Sequence, residues 1–95
     1  MIFKLISTKG FQQQAKYLDI KTKRILDNKL DLILQNPYRF KALNYKNHKL
    51  FRVPLNINSK ETRLIYKIIN PNIILNCLLE RKRNYKDLKK YLKNL

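Results

Sequence analysis

One glycine, one cysteine, one histidine and no tryptophan occur among the 95 residues, and only six residues are acidic. A single glycine excludes a glycine-rich phosphate-cradling loop. With three prolines and no run rich in Pro, Gly or Ser, no linker divides the chain, so residues 1–95 read as one domain. Cys77 has no partner for an intrachain disulfide, and its apolar setting predicts a buried, inert thiol. One Cys and one His cannot assemble a four-ligand zinc site, so no metal and no cofactor are expected. The lone His48, in a polar stretch, leaves no Ser-His-Asp set. No apolar run reaches the roughly 18–20 residues of a membrane-spanning helix. The longest, around IINPNIILNCLL, is broken by Asn and Pro. MIFKLIS is too short for a signal peptide, and no cleavage-like site follows it. The expected location is the cytoplasm, with no membrane partner.

Acidic residues are scarce and basic ones are abundant. Twenty-two Lys and Arg give a formal net charge of +16. A genomic bias toward Lys, Asn and Ile would raise Glu as well, yet Glu occurs only at Glu61 and Glu80. Self-repulsion at this charge costs stability, and a polyanion offsets it. Nucleic acid is the commonest such partner.

Along the chain, Met1–Ile6 reads as a short apolar strand. Ser7 or Thr8 can cap a helix carrying Phe11, Ala15 and Leu18 at helical spacing. Asp19 caps a second helix with the stripe Ile25, Leu26, Leu30, Ile33 and Leu34, which Asn36-Pro37 ends. Such a tight junction predicts a helical hairpin. Asn44–His48 reads as a polar loop. From Leu50 to Ile57 the period becomes two, with Phe51, Val53, Leu55 and Ile57 on one side and Arg52, Pro54 and Asn56 on the other. Pro54 requires an edge or a bulge there. Asn58-Ser59-Lys60 is a turn, Thr62–Ile69 and Ile73–Leu79 are strands, and Asn70-Pro71-Asn72 joins them. Asn84 can cap a last helix, with Asp87 three residues on and the stripe Leu88, Tyr91, Leu92 and Leu95. The expected architecture is α+β: an N-terminal strand, a helical hairpin, a three-stranded antiparallel meander joined by the first strand into one sheet, and a C-terminal helix. The helices are expected to cover one face of that sheet. Phe3, Phe11, Phe40, Phe51 and Tyr66 fall on apolar phases and are assigned to the core.

Five of the six arginines lie at or beyond position 39. Arg52, Arg63, Arg81 and Arg83 sit on or just after expected strands. The planar guanidinium makes paired, charge-assisted hydrogen bonds to phosphate. Adjacent antiparallel strands can bring Arg52 and Arg63 to one face, with Arg81 at the end of the third strand. Such a cluster suits a scissile phosphate and its transition-state charge. Tyr85, next along, can stack on a base or share a proton. The competing reading is a set of solvated surface charges.

Three segments carry a resemblance to a known family. NPYRFKALNYKNHKLFRVPL, TRLIYKI and LLERKRNY resemble, in order and spacing, the proline after the second helix, the paired strands and the terminal Arg-to-Tyr segment of the RelE/ParE toxin superfamily. The resemblance implies a ribosome-dependent mRNA endonuclease that inhibits translation and is restrained by an acidic, RelB-like antitoxin in a hetero-oligomer. Ribosome and mRNA would be its further partners. The residues it implies around the cleaved phosphate are Arg52, Arg63, Arg81 and Tyr85, with Lys49, Lys60, Lys82, Arg83 and Lys86 contacting nucleic acid. Leu88, Tyr91 and Leu92 are the expected antitoxin contacts. A second basic position of the family falls on Pro54, which removes a proton acceptor and leaves Tyr85, Glu80 and Lys49 as the options. Two rival classes stand beside this one: a ParE-type toxin that binds DNA gyrase without nuclease activity, and a non-catalytic nucleic-acid-binding module.

Overall fold

A computed structural model of the chain describes residues 2–83 and 87–92. The elements are β1 (Lys4–Ser7), α1 (Lys9–Lys16), α2 (Ile20–Gln35), β2 (Lys41–Tyr45), β3 (His48–Ile57), β4 (Lys60–Ile69), β5 (Asn72–Glu80), a 3-10 turn (Arg81–Arg83) and α3 (Leu88–Leu92). One sheet has the order β1-β5-β4-β3-β2. β1 runs parallel to β5, and every other pairing is antiparallel.

The expected α+β order holds, with one added strand. Lys41–Tyr45, which straddles the start of the stretch read as a polar loop, is β2, and it pairs residue for residue with His48–Arg52. Only Lys46-Asn47 forms the loop, with Lys46 at φ 52. Asn58 and Ser59, with φ 50 and 65, make the next two-residue turn. Two successive positive φ values match the right-handed twist of the flanking strands. The Asn70-Pro71 peptide bond at the β4–β5 turn is cis.

Caps place both long helices. The Thr8 hydroxyl accepts from the Phe11 amide at 3.1 Å, and Asp19 Oδ1 accepts from the Thr22 amide at 2.7 Å. Each bond satisfies a helix-end donor that has no partner within the helix. Hydrogen bonding from the Thr22 side chain, and then from its amide, holds the Asp19 carboxyl below the usual carboxylate range. Both helices bury their apolar stripes on one sheet face: Phe11, Leu26 and Ile33 meet Phe51, Val53, Leu55, Leu64, Tyr66, Ile73, Leu75 and Leu78. The aromatic residues assigned to the core are there, with Phe3 and Phe40 packed at its margin.

The helices do not all share that face. Leu88 and Leu92 of α3 pack with Leu50, Ile65, Cys77 and Leu79 on the opposite side. The reason is a β-bulge. Ile65 pairs with Cys77 but Tyr66 pairs with Leu75, so Asn76 is an extra residue in β5. The alternation resets there, leaving apolar residues on both faces of β5 and requiring cover on both. Asn84 and Leu95 lie outside the described residues, so the expected cap and the end of the stripe do too.

Candidate functional site

α3 covers only part of its face of the sheet, and the uncovered part is basic. Arg52 lies opposite Lys41 on one side and Ile65 on the other, while Pro54 lies opposite Arg63. Directly opposed residues of antiparallel strands share a face. Lys41, Arg52, Pro54 and Arg63 therefore form one surface, with Arg52 and Arg63 as diagonal neighbours, roughly 7–8 Å apart in ordinary sheet geometry. With Arg39 and Phe40 they line an open depression of about 590 Å³. Arg52 and Arg63 are half-buried, and Lys41 and Arg39 are exposed.

The local fold explains the placement. β2 stops opposite Arg52, so β3 is an edge strand from Val53 onward. There Pro54 is tolerated, as expected, because an edge has ladder positions that need no donor. The Tyr66 hydroxyl, buried on the other face, donates to the Pro37 carbonyl at 2.6 Å. That bond pins the connection from α2 to β2 and sets Arg39–Lys41 along the rim. Burial pushes the Tyr66 phenol above its ordinary range.

Arg81 follows β5 in the 3-10 turn, and its Nη1 donates to Glu61 Oε2 at 2.8 Å, both side chains exposed. Glu61 is on β4, two residues before Arg63 and on the same face. The Glu61–Arg81 pair thus ties the turn to the basic surface, beside a second depression of about 530 Å³ lined by Ser59, Lys60, Glu61, Glu80, Arg81 and Lys82.

Three of the four expected phosphate ligands, Arg52, Arg63 and Arg81, are brought to this side of the sheet. Tyr85 and Lys86 lie outside the described residues, as does the side chain of Arg83. Lys82 is exposed beside Arg81. Lys49 is not brought to the cluster. It pairs with Asn44 on the α2 side, with its Nζ 6.0 Å from the centre of the Phe51 ring. Lys60 pairs with Ile57 on that same side and meets Glu80 at 3.6 Å. Leu88 and Leu92 are buried beneath α3, and Tyr91 is half-buried against Gly10. A partner reaching the two leucines must therefore displace α3. Cys77 is buried, as expected, and its thiol is pushed up to about 12, first by burial and then by the charge of Asp87.

Lys41, Arg39 and Glu61 belong to the site and were not singled out from the sequence. The usable signal was the alternation in Lys41-Ala42-Leu43-Asn44-Tyr45, whose Leu43 and Tyr45 share a phase. Reading that strand places Lys41 opposite Arg52.

No family model matches the chain, and no curated protein does either. Solved structures do. The free-state structure of an E. coli RelE toxin mutant is similar over 100% of this chain and 99% of its own, with 17% identity and a TM-score of 0.77. The toxin–antitoxin complex RelBE, also from E. coli, contains a chain similar over 83% of this one and 95% of its own, with 17% identity and a TM-score of 0.68. The fold is that of RelE.

Proposed function

We propose that this protein is the toxin of a toxin–antitoxin pair and an endoribonuclease that cleaves mRNA on the ribosome. The observation that supports the reading is that Arg52 and Arg63 share the open part of one sheet face, with Arg81 tied to Glu61 of that face, within a RelE fold. Three guanidinium groups can grip a scissile phosphate and stabilise the charge that builds on it in the transition state. The attacking group is the neighbouring ribose 2′-OH, which leaves a 2′,3′-cyclic phosphate. Lys41, Arg39 and Lys82 extend the positive surface along the RNA, and the net charge of +16 favours a polyanion and steers its approach.

The proposed partner is an acidic antitoxin, which matches this surface with Asp and Glu. RelE is found with an antitoxin in the RelBE complex. The proposed location is the cytoplasm, where mRNA and ribosomes are. Inducing the chain alone should stop growth and cut mRNA at discrete sites mapped by primer extension, and Arg63→Ala should remove the cuts. Co-expression with the product of a short adjacent acidic reading frame should restore growth and yield a soluble complex.

Pro54 supports a second reading. It stands opposite Arg63, where a basic group would complete a nuclease set. A gyrase-binding toxin needs no such group. That reading gains if induction damages DNA while mRNA stays intact.

A further inference from the structure

Resting on the nuclease reading, we propose that Glu61 is the catalytic proton acceptor that Pro54 leaves missing. Pro54, Arg63, Asn56 and Glu61 form a two-by-two block, because Pro54 pairs with Arg63 and Asn56 with Glu61. Glu61 is thus the diagonal neighbour of Pro54 on the arginine face.

Of the acceptors expected from the sequence, Tyr85 lies outside the described residues, and the two described ones, Glu80 and Lys49, lie on the opposite face. Glu80 pairs with Thr62, on the side of α1 and α2, and meets Lys60. Lys49 lies on that side as well. Asp87 stands at the start of α3 beside Cys77, on the part of the arginine face that α3 covers. Glu61 is exposed, stands two residues from Arg63, and is held by Arg81 at 2.8 Å. The Arg81 hydrogen bond falls on one Glu61 carboxylate oxygen, Oε2.

The step balances as follows. A Glu61 carboxylate oxygen takes the proton of the ribose 2′-OH. The 2′-oxygen bonds to phosphorus while the bond from phosphorus to the 5′-oxygen breaks. The 5′-oxygen leaves with the bonding electrons and takes a proton from water. The products are a 2′,3′-cyclic phosphate and a 5′-OH. Arg52, Arg63 and Arg81 hold the phosphate throughout, and Arg81 also orients Glu61.

The test is single-turnover cleavage of ribosome-bound mRNA by the purified full chain, followed across pH. Binding is measured in parallel with a 2′-deoxy mRNA that cannot react. Glu61→Gln keeps the hydrogen bond to Arg81 and loses the base. It should slow cleavage by roughly 10²–10⁴-fold, leave 2′-deoxy mRNA binding unchanged, and abolish the slowing on acidification shown by the unaltered chain. Glu61→Asp, which keeps a carboxylate, should recover part of the rate and the pH dependence. Cleavage by a folded Glu61→Gln within about threefold of the unaltered rate overturns the assignment. So does a loss matched by lost binding, or an unchanged pH profile. An unaltered chain that cuts no mRNA on ribosomes overturns the nuclease reading itself, and this proposal with it.

Discussion

Gln14 closes the edge of the sheet by pairing both ends of its side-chain amide with the backbone of Leu78. Its Nε2 donates to the Leu78 carbonyl at 2.7 Å, and its Oε1 accepts from the Leu78 amide at 2.7 Å. β1 ends opposite Leu75, so β5 continues beyond it with no strand on that side. Thr8 deals with the first exposed groups: its amide donates to the Leu75 carbonyl and its hydroxyl to that of Asn76. Gln14 then substitutes for two ladder bonds of a missing strand. An unpaired edge invites pairing with other chains, and this one is covered by α1.

Gln14→Leu should therefore leave a buried amide and carbonyl at Leu78 unsatisfied. The expected cost is about 1–3 kcal/mol. In a domain of this size each kcal/mol lowers the melting temperature by roughly 4–8 °C. Thermal unfolding followed by circular dichroism measures it, and an unchanged melting temperature contradicts the role.

Arg63→Ala and Arg81→Ala should each reduce mRNA cutting by roughly 10²–10³-fold, the loss that follows removal of one transition-state donor. Neither side chain belongs to the core, so both variants should melt close to the parent. Primer extension on cells expressing each variant reads the effect, and undiminished cutting by the folded variants removes the basis of the site.

Gly10→Ala should loosen α3. A Cβ at Gly10 would stand 2.9 Å from Tyr91 Cδ1, closer than carbon atoms approach, and 3.1 Å from Cε1, tighter than most such contacts. The ring must shift, and α3 is only five residues long. Hydrogen exchange should show faster exchange for Tyr91 and Leu92 amides with β4 unchanged. If a partner displaces α3, this variant should also bind the antitoxin at least as tightly as the parent.

Stability should fall as pH rises above about 9. The Cys77 thiol moves from an ordinary 9.0 to about 12 on folding. The folded state therefore holds the thiol proton more tightly, and the resulting stability is present below the unfolded value and lost between about pH 9 and 12. The Tyr66 phenol, also raised, adds a loss of the same sign at higher pH. Urea unfolding of the parent and Cys77→Ala across this range isolates the thiol: the difference between them should shrink as pH rises. A constant difference contradicts the linkage.

Local chemistry made much of the fold legible in the sequence. Thr8 and Asp19 announce two helix starts, the proline at 37 ends the second, and the period-two pattern from Leu50 marks a strand. These signals act between residues a few positions apart, so the chain carries them before it folds. The net charge and the grouping of Arg beyond position 39 likewise pointed to a polyanion without reference to any contact. Other features depend on which strands become neighbours. The bulge at Asn76 sends Cys77 and Leu79 to a second face and calls α3 to cover it. The end of β2 opposite Arg52 makes room for Pro54. Register alone separates Glu61, on the arginine face, from Glu80 and Lys49, on the other. A one-residue slip in pairing exchanges the two faces of a strand, and that register is set by packing across the whole sheet, which only the tertiary structure decided.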